Sequence, residues 1–491
     1  MLRRALLLLV LAGCGPGGPV LHPPLPPATT FGDYSAQVAL ALEQDLWAGG
    51  GHWHSCEGGC GRGNRDWGND SLTFTLFMRW NATHDPSLVP LFQELENSAT
   101  DYVGLTCNGI DCPDWSDMPA WDAVAAERDF EVTGDAHALQ IALDAYRHVS
   151  DASAYAQGAC PDILYQRAGG GGGGLKTLET ESNLIKAALL LFQRTGRPDL
   201  LLDAKTRYAA VRQHYLDPHL PLYTTYLFDD GKQCTPLPGR FFASVNGNMA
   251  WNGFALQEAT GDPTFGVEAL ATLGQWDVQL SDNRGVYANL EADNDVSEPL
   301  IEAMLEQAAR DRPPSFARDW IHRNAEAAIR NARVPQGLYG RFFDGPQPPA
   351  AINDWQTNGG LALAVAAATL EPDYVVAPGS DWDNAQSVSQ EISALPASLS
   401  FTGSGIALLG TLGEECCESG HASLSVDGAP TVDATGIWQN KSATGRSFDD
   451  AVLFAWQWRQ SGSHVLTFDV PDTNAKEGGP FLHVRRYLLI P

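Results

Sequence analysis

The sequence predicts an all-α toroid of helical hairpins, an (α/α)6 barrel, followed by a C-terminal all-β sandwich of the jelly-roll type. Three near copies of one segment carry the first prediction: Phe-Glu-Val-Thr-Gly-Asp at 130–135, Phe-Gln-Arg-Thr-Gly-Arg at 192–197 and Gln-Glu-Ala-Thr-Gly-Asp at 257–262. In each copy a helix ends at Thr-Gly and another begins at once, because glycine readily adopts the left-handed conformation that closes a helix. Hairpins that cannot bury their own apolar faces stack on copies of themselves. About six of them, closed into a ring, form a toroid.

Amphipathic helices fill the range predicted for the toroid, residues 31–370. Periodic apolar residues and flanking Gly, Pro and Asp mark where the helices begin and end. The predicted helices cover residues 34–47, 71–80, 118–132, 136–150, 179–195, 200–215, 248–260, 265–280, 297–309, 318–331 and 355–369. A weaker relative of the Thr-Gly segment lies upstream, at 80–86. The loops between the helices are long, and we expect those at one end to form the binding face.

The N-terminus has the features of a lipoprotein signal peptide. Arg3 and Arg4 precede an apolar run at 5–11, and Leu-Ala-Gly follows and ends at Cys14. This order predicts a signal peptide and lipobox over 1–14, with Cys14 lipidated, and a Pro-rich tether over 15–30. We therefore expect a lipid-anchored protein of the cell envelope, at the outer membrane or cell surface. The alternative is an ordinary signal peptide with a chance cysteine.

The composition changes after Glu371, where helical periodicity gives way to short strands and glycine turns. We predict a linker over 371–390 and a β-sandwich accessory domain over 391–491. The predicted strands cover residues 400–403, 406–411, 422–426, 452–458, 464–470 and 482–489.

The charge restricts the class of ligand. The formal net charge is −28, whereas nucleic acids and anionic membranes are bound through basic surfaces. A neutral polysaccharide or oligosaccharide fits better, and the 14 tryptophans are suited to stacking on sugar rings. We expect no cofactor, no nucleic acid partner, membrane contact only through the lipid, and a monomer.

The cysteines predict disulfides. Eight remain once Cys14 is set aside, and an even number of cysteines in an exported protein indicates that they pair. Pairing is possible within Cys56/Cys60, Cys107/Cys112, Cys160/Cys234 and Cys416/Cys417, and the sequence leaves the connectivity open. The alternative is a zinc site at His52, His54, Cys56 and Cys60, whose side chains are suitable ligands. We expect no metal, since thiols oxidise in such a compartment.

One segment resembles a known family. Residues 114–135 begin Asp114-Trp-Ser-Asp117-Met-Pro-Ala-Trp121-Asp and end in Thr-Gly-Asp. They resemble glycoside hydrolase family 76, the endo-α-1,6-mannanases and their relatives. That family carries two adjacent aspartates and then a Trp pair opening a helix that ends in Thr-Gly-Asp. Asp117 stands at the first aspartate and Trp121 at the first Trp, but Met118 and Asp122 occupy the second positions.

The resemblance extends over residues 34–370 through weaker landmarks. Lys176 matches a lysine before the next helix, and Asn246 is retained from a Tyr-Asn-Gln-Gly segment. The start of the family's last helix resembles Trp-Gln-Thr-Asn-Gly-Gly at 355–360. The resemblance implies an (α/α)6 toroid acting on an α-linked mannan. It leads us to expect substrate contacts from Trp115, Trp121, Lys176 and Asn246.

Asp117 is the candidate nucleophile. Pro119 is tolerated in a first helical turn, which places Asp117 at the N-cap, where free N–H groups favour an ionised carboxylate. Cleavage of a glycoside also needs a carboxylic acid to protonate the leaving oxygen, and Met118 cannot supply it. Asp114 and Asp122 are the nearest replacements. The alternative is that Asp117 only caps the helix.

Two hypotheses follow. The first is an exported retaining glycoside hydrolase that acts on α-linked mannan or a related polysaccharide. The second is a catalytically impaired glycan-binding surface lipoprotein, which keeps the groove and has lost the acid.

Overall fold

The computed structural model describes most of the chain. The described residues are 24–54, 67–97, 115–151, 153–170, 173–237, 241–288, 296–310, 313–347, 352–412, 421–430, 437–439, 448–469 and 483–491. Several sequence predictions lie outside them: the signal peptide with Cys14, Asp114, and the cysteines Cys56, Cys60, Cys107, Cys112, Cys416 and Cys417.

Twelve α-helices occupy the described part of residues 31–370. They are α1 (Phe31–Asp45), α2 (Trp67–Thr83), α3 (Val89–Asn97), α4 (Asp117–Thr133), α5 (Ala136–Ser150), α6 (Leu178–Thr195), α7 (Pro198–Tyr215), α8 (Ala243–Thr260), α9 (Pro263–Gln279), α10 (Glu298–Ala308), α11 (Ser315–Asn331) and α12 (Asp354–Leu370). Eleven of them correspond to predicted helices, and the sequence analysis missed only α3.

The even-numbered helices form a closed inner ring. In the order α2, α4, α6, α8, α10 and α12, each contacts the next, and α12 contacts α2 again. The odd-numbered helices pack outside this ring. Inner helices are buried on nearly all sides, as the uninterrupted burial from Leu178 to Leu191 in α6 shows. The predicted (α/α)6 toroid is confirmed.

Three tight turns close the repeated hairpins at one end of the ring. Gly134, Gly196 and Gly261 adopt left-handed backbone angles, with φ of 71°, 68° and 75°. Asp135 and Asp262 then cap α5 and α9 by accepting hydrogen bonds from backbone N–H groups in the first turn. The long connections lie at the opposite end, where all six inner helices begin.

Two of these long connections are cross-linked. Strands β3 (Leu175–Thr177), β4 (Tyr226–Asp229) and β5 (Cys234–Pro236) form a small antiparallel sheet before α6 and α8. A disulfide joins Cys160 to Cys234 across the same two connections, one of the pairings that the sequence left open. A two-stranded ribbon, β1 (Trp47–Gly49) with β2 (His52–Trp53), follows α1.

The C-terminal region is a β domain, as predicted. Its strands are β6 (Gln386–Ile392), β7 (Ala397–Leu412), β8 (His421–Val426), β9 (Ala429–Pro430), β10 (Ile437–Gln439), β11 (Phe448–Asp469) and β12 (Val484–Ile490). Where a sandwich of two sheets was expected, the described strands hydrogen-bond into one sheet of order β10-β8-β11-β7-β12-β6, with β9 on β8. The reason is that β7 and β11 are long, and each pairs along its length with different neighbours.

The sheet packs on the toroid. The Phe454 ring in β11 meets Phe342 from the α11–α12 connection, with centroids 6.5 Å apart. The Gln457 side chain donates to the Asp344 carbonyl at 2.8 Å, and its backbone N–H donates to Asp282 Oδ2 at 3.3 Å. The predicted linker takes part, because Trp382 Nε1 donates to the same Asp344 carbonyl at 3.0 Å. The sheet therefore rests on connections at the end where the inner helices begin.

No helix in the described portion of the chain is long and apolar enough to cross a membrane.

Candidate functional site

The start of α4 is anchored by Ser116. Its Oγ donates to the Tyr165 carbonyl at 2.8 Å and lies 2.7 Å from Thr180 Oγ1 in the first turn of α6. The N-cap position belongs to Ser116, and Asp117 is the first helical residue. This corrects the sequence prediction by one position: helical backbone angles begin at Ser116, with φ −86° and ψ −25°, one residue before Asp117.

Asp117 is buried, with 1% of its surface exposed. Its Oδ1 accepts a hydrogen bond from the Met118 backbone N–H at 3.0 Å. Its Oδ2 accepts a hydrogen bond at 3.1 Å from Nε2 of Gln166, which belongs to the connection between α5 and α6. Two N–H donors and the start of a helix favour negative charge on this carboxylate.

Of the carboxyl groups expected beside Asp117, only Asp122 is among the described residues. Met118 is buried, with 4% of its surface exposed, and has no ionisable group. Asp122 lies one turn deeper in α4 and is fully buried. Asp114 lies outside the described residues.

The two tryptophans of the motif differ in their surroundings. Trp115 is half-buried, and the Arg167 guanidinium lies over its ring at 4.5 Å from the centroid. Trp121 is 1% exposed and stacks on Phe74, with ring centroids 5.6 Å apart and planes at 12°. One face of the Trp121 indole packs on Phe74, so a sugar contact there stays a prediction, and Trp115 is the more exposed of the two.

Lys176 and Asn246 hold loops together. The Lys176 ammonium is fully buried and donates to the carbonyls of Gln157, Cys160 and Ile163 at 2.5–3.0 Å. Burial lowers its pKa, while Asp229, with Oδ2 at 3.6 Å, acts in the opposite direction. These contacts use all three ammonium protons, so the predicted substrate role is replaced by a structural one.

Asn246 is satisfied in the same way. Its side-chain oxygen accepts from the Tyr223 backbone N–H at 2.9 Å, and its amide group donates to the carbonyls of Tyr223 and Phe242, each at 3.0 Å. The residue is fully buried. Asn246 therefore fixes the α7–α8 connection, and its predicted contact with substrate is corrected.

The sequence analysis missed a charged cluster inside the ring. Glu298, Glu302 and Glu306 are spaced four residues apart on α10 and so lie on one face of the helix. Arg128 Nη2 of α4 donates to Glu302 Oε1 at 2.7 Å, and Lys186 Nζ of α6 donates to Glu302 Oε2. The signal was present in the sequence as a regular glutamate spacing on a helix whose other residues, apart from Gln307, are apolar.

The three carboxyl groups of the cluster differ in their burial and in how readily they ionise. Burial, followed by the charge of Glu302, raises the pKa of Glu298 to about 8 against the opposing charges of Lys186 and Arg128. Glu306, by contrast, is exposed near the C-terminal end of α10, and its Oε1 accepts a hydrogen bond from Trp251 Nε1 at 2.6 Å. For Glu302 burial is outweighed by Lys186 and Arg128, which lower its pKa. The ring interior thus holds one firmly ionised carboxylate, Glu302, beside a buried carboxyl, Glu298, that retains a proton more readily.

Comparison with known proteins identifies the fold. No protein-family model matches the chain, and no curated protein matches it by sequence. Among solved structures, an α-1,6-mannanase of glycoside hydrolase family 76 from Salegentibacter superposes with a TM-score of 0.61 at 17% identity, covering 70% of this chain and 100% of that one. The helical domain has the fold of the family 76 mannanases. An α-mannanase of the same family from Bacteroides thetaiotaomicron gives a TM-score of 0.57 at 14% identity, with coverage of 69% and 95%.

The Salegentibacter structure is an inactive variant bound to α-1,6-mannotriose, in which two consecutive aspartates are replaced by asparagine. The same toroid also occurs with another reaction: an unsaturated glucuronyl hydrolase specific for heparin superposes with a TM-score of 0.51 at 11% identity, covering 69% of this chain and 96% of that one. The fold therefore does not by itself determine the reaction.

Proposed function

We propose that the protein is an exported glycoside hydrolase that cleaves α-linked mannan or a closely related polysaccharide. The observation that carries the proposal is the start of α4: Asp117 lies at the long-loop end of a toroid with the fold of family 76 mannanases, and its carboxyl oxygens accept hydrogen bonds from Gln166 and the Met118 N–H. Its motif matches the family's first aspartate. The neighbouring structure with mannotriose supports an oligosaccharide as the ligand class.

Asp117 acts as the nucleophile in this proposal. Its carboxylate attacks the anomeric carbon while the bond to the leaving oxygen breaks, and water later releases the sugar from the resulting ester. The hydrogen bond from Gln166 keeps the carboxylate charged and aimed before attack. A second carboxyl group must protonate the leaving oxygen, since a sugar alkoxide is a poor leaving group.

The competing function is a glycan-binding protein without turnover. The buried Met118 favours it, because an apolar side chain occupies the position of the family's second aspartate. Both functions place an oligosaccharide at the long-loop end of the toroid.

The two functions are separated by measuring cleavage and binding on the same glycans. The mature protein is incubated with α-1,6-mannan, other α-mannans and α-glucans, and released reducing ends are measured beside calorimetric binding of α-1,6-manno-oligosaccharides. New reducing ends from α-1,6-mannan support the hydrolase, and proton NMR of the first product shows whether the α-anomer is retained. Binding without any cleavage would contradict the hydrolase and support the competing function.

Export through a lipid anchor at Cys14 is a separate part of the proposal. It rests on the Leu-Ala-Gly-Cys segment at 11–14 behind a basic and apolar leader. A Cys14→Ser protein should appear in the soluble fraction, whereas the native protein sediments with membranes. Membrane retention of the Ser variant would contradict lipidation at this residue.

A further inference from the structure

Glu298 and Asp117 lie at the same end of the ring. The contact between Ser116 and Thr180 sets the start of α4 level with the first turn of α6. Lys186 lies six residues further along α6, about 9 Å deeper at 1.5 Å per residue, and its ammonium binds Glu302. Glu298 precedes Glu302 by one turn, in the direction of the long-loop end. Glu298, the first residue of α10, therefore lies on the long-loop side of Glu302, the side on which Asp117 begins α4.

The Glu298 side chain faces the interior of the ring. The charges that act on it come from Glu302 on its own helix, from Lys186 of α6 and from Arg128 of α4. Because α6 and α4 are inner helices on other sides of the ring, a group that interacts with both is directed inward. Asp117 begins one of those two helices.

The carboxyl group of Glu298 is buried and has no hydrogen-bond partner among the described residues. None of its surface is exposed, and neither oxygen has a hydrogen-bond partner among the residues that the structure describes. Arg128 and Lys186 both bind Glu302 instead. Leaving such a group ionised would cost several kcal/mol, so it is held as the neutral acid.

Glu306 is the third carboxyl group of the cluster, but it is exposed and its position is unsuitable. It lies two turns deeper in α10 than Glu298, and its Oε1 already accepts a hydrogen bond from Trp251 Nε1 at 2.6 Å. Of the three glutamates, only Glu298 both lies at the long-loop end and carries an acidic proton that no described hydrogen bond engages.

We propose that Glu298 is the proton donor of the glycosidase, and that it substitutes for the carboxyl group lost at Met118. This inference rests on the proposed hydrolase function. Glu298 gives its proton to the glycosidic oxygen as the bond from that oxygen to the anomeric carbon breaks and Asp117 bonds to the carbon. In the second half, the Glu298 carboxylate takes a proton from water while the water oxygen attacks the anomeric carbon and displaces Asp117. Both residues then return to their starting states. Because both residues are buried, the proposal includes movement of the side chains that cover them when the sugar binds.

The decisive variant is Glu298→Gln, which keeps the shape of the side chain and removes the acidic proton. Two substrates are compared: α-1,6-mannan, whose leaving group must be protonated, and the 2,4-dinitrophenyl glycoside of α-1,6-mannobiose, whose leaving group needs no proton. Turnover of mannan should fall by about a hundredfold to ten-thousandfold, the usual contribution of general acid catalysis. Formation of the glycosyl ester from the dinitrophenyl substrate, measured as the burst of dinitrophenolate, should stay within about threefold of the native rate.

The matched control is Glu306→Gln, which makes the same change in the same cluster two turns away. It should leave the rates on both substrates nearly unchanged. Equal losses on the two substrates in Glu298→Gln would overturn the proposal, since they indicate a general disturbance of the site. Undiminished mannan cleavage would overturn it as well, while leaving the hydrolase function intact. A native protein that cleaves neither substrate would instead overturn the proposed function itself.

The pH profile of the native protein supplies a second measurement if the Gln variant does not fold. Loss of mannan activity on the basic side, centred near the pKa of about 8 for Glu298, supports the proposal. The dinitrophenyl burst should lack this basic limb. The proposal would be overturned if the rates on both substrates fell at the same basic pH, or if neither rate fell at basic pH.

Discussion

Asp117 depends on a neighbour that is far away in sequence. Gln166, 49 residues later, donates to its Oδ2, and the Ser116 N–H donates to the Gln166 carbonyl at 2.8 Å. The connection before α6 is thus tied to the start of α4 through both backbone and side chain. Because a hydrogen bond to a charged group contributes about 1.5–3 kcal/mol, this contact is large enough to affect catalysis.

The first prediction concerns that contact. Gln166→Ala should lower kcat on α-1,6-mannan by about tenfold to a hundredfold, because the nucleophile loses one of its two described donors. The control is Gln140→Ala, where an exposed glutamine donates to Asp144 at 2.8 Å on the outside of the toroid. That variant should keep native kcat. An unchanged kcat in Gln166→Ala would show that the contact does not support the reaction.

At the scale of elements, the sequence was most informative where a local rule decides the structure. The three Thr-Gly turns were predictable because a left-handed glycine closes a helix whatever surrounds it. Helix α3 was missed although Leu88, Leu91, Phe92 and Leu95 are spaced for one buried face, because two prolines interrupt the segment at 86 and 90. Glu298 could not be placed, since its proton and its position depend on three helices meeting inside the ring.

Alanine substitution at two glycines tests the helix-closing rule, because the expected changes in the free energy of unfolding have opposite signs. Gly134→Ala should lower the free energy of unfolding by about 1 kcal/mol, because φ is +71° and alanine pays 1–2 kcal/mol in that conformation, although nothing obstructs its Cβ. Gly274→Ala, in the middle of α9, should raise it by about 0.5–1 kcal/mol, since the new Cβ meets the Phe316 ring at an ordinary 3.8 Å. Urea unfolding measures both. Equal effects of the same sign would contradict the assignment of Gly134 to a left-handed turn.

At the scale of the whole molecule, the toroid and the C-terminal sheet share a buried contact. Asp282, Asp344 and Gln457 meet there beside the Phe342–Phe454 pair. Arg284 links them by donating to Gln457 Oε1 at 2.6 Å and to Asp381 Oδ2 at 2.7 Å. Sequence analysis predicted an accessory domain behind a linker, because composition shows a boundary but not what the two sides bury against each other.

We expect this contact to couple the two domains in unfolding. Calorimetry of the full chain should show one main transition, because removing the sheet would expose Phe342 and leave the buried Asp344 unsupported. Phe454→Ala should lower the melting temperature, as loss of a buried aromatic ring costs about 3–5 kcal/mol. The control Val465→Ala, which truncates a side chain that is 39% exposed on the same strand, should change it little. Two well-separated transitions in the native protein would show that the domains unfold independently.

The central claim is that Asp117 performs the chemistry of a mannan hydrolase. The most direct test is the turnover number of Asp117→Asn on α-1,6-mannan, measured beside its melting temperature. Asparagine preserves the size of the side chain, so stability should change little, whereas turnover should fall at least about a thousandfold, equivalent to about 4 kcal/mol of transition-state stabilisation. A folded Asp117→Asn protein that cleaves mannan at the native rate would contradict the claim.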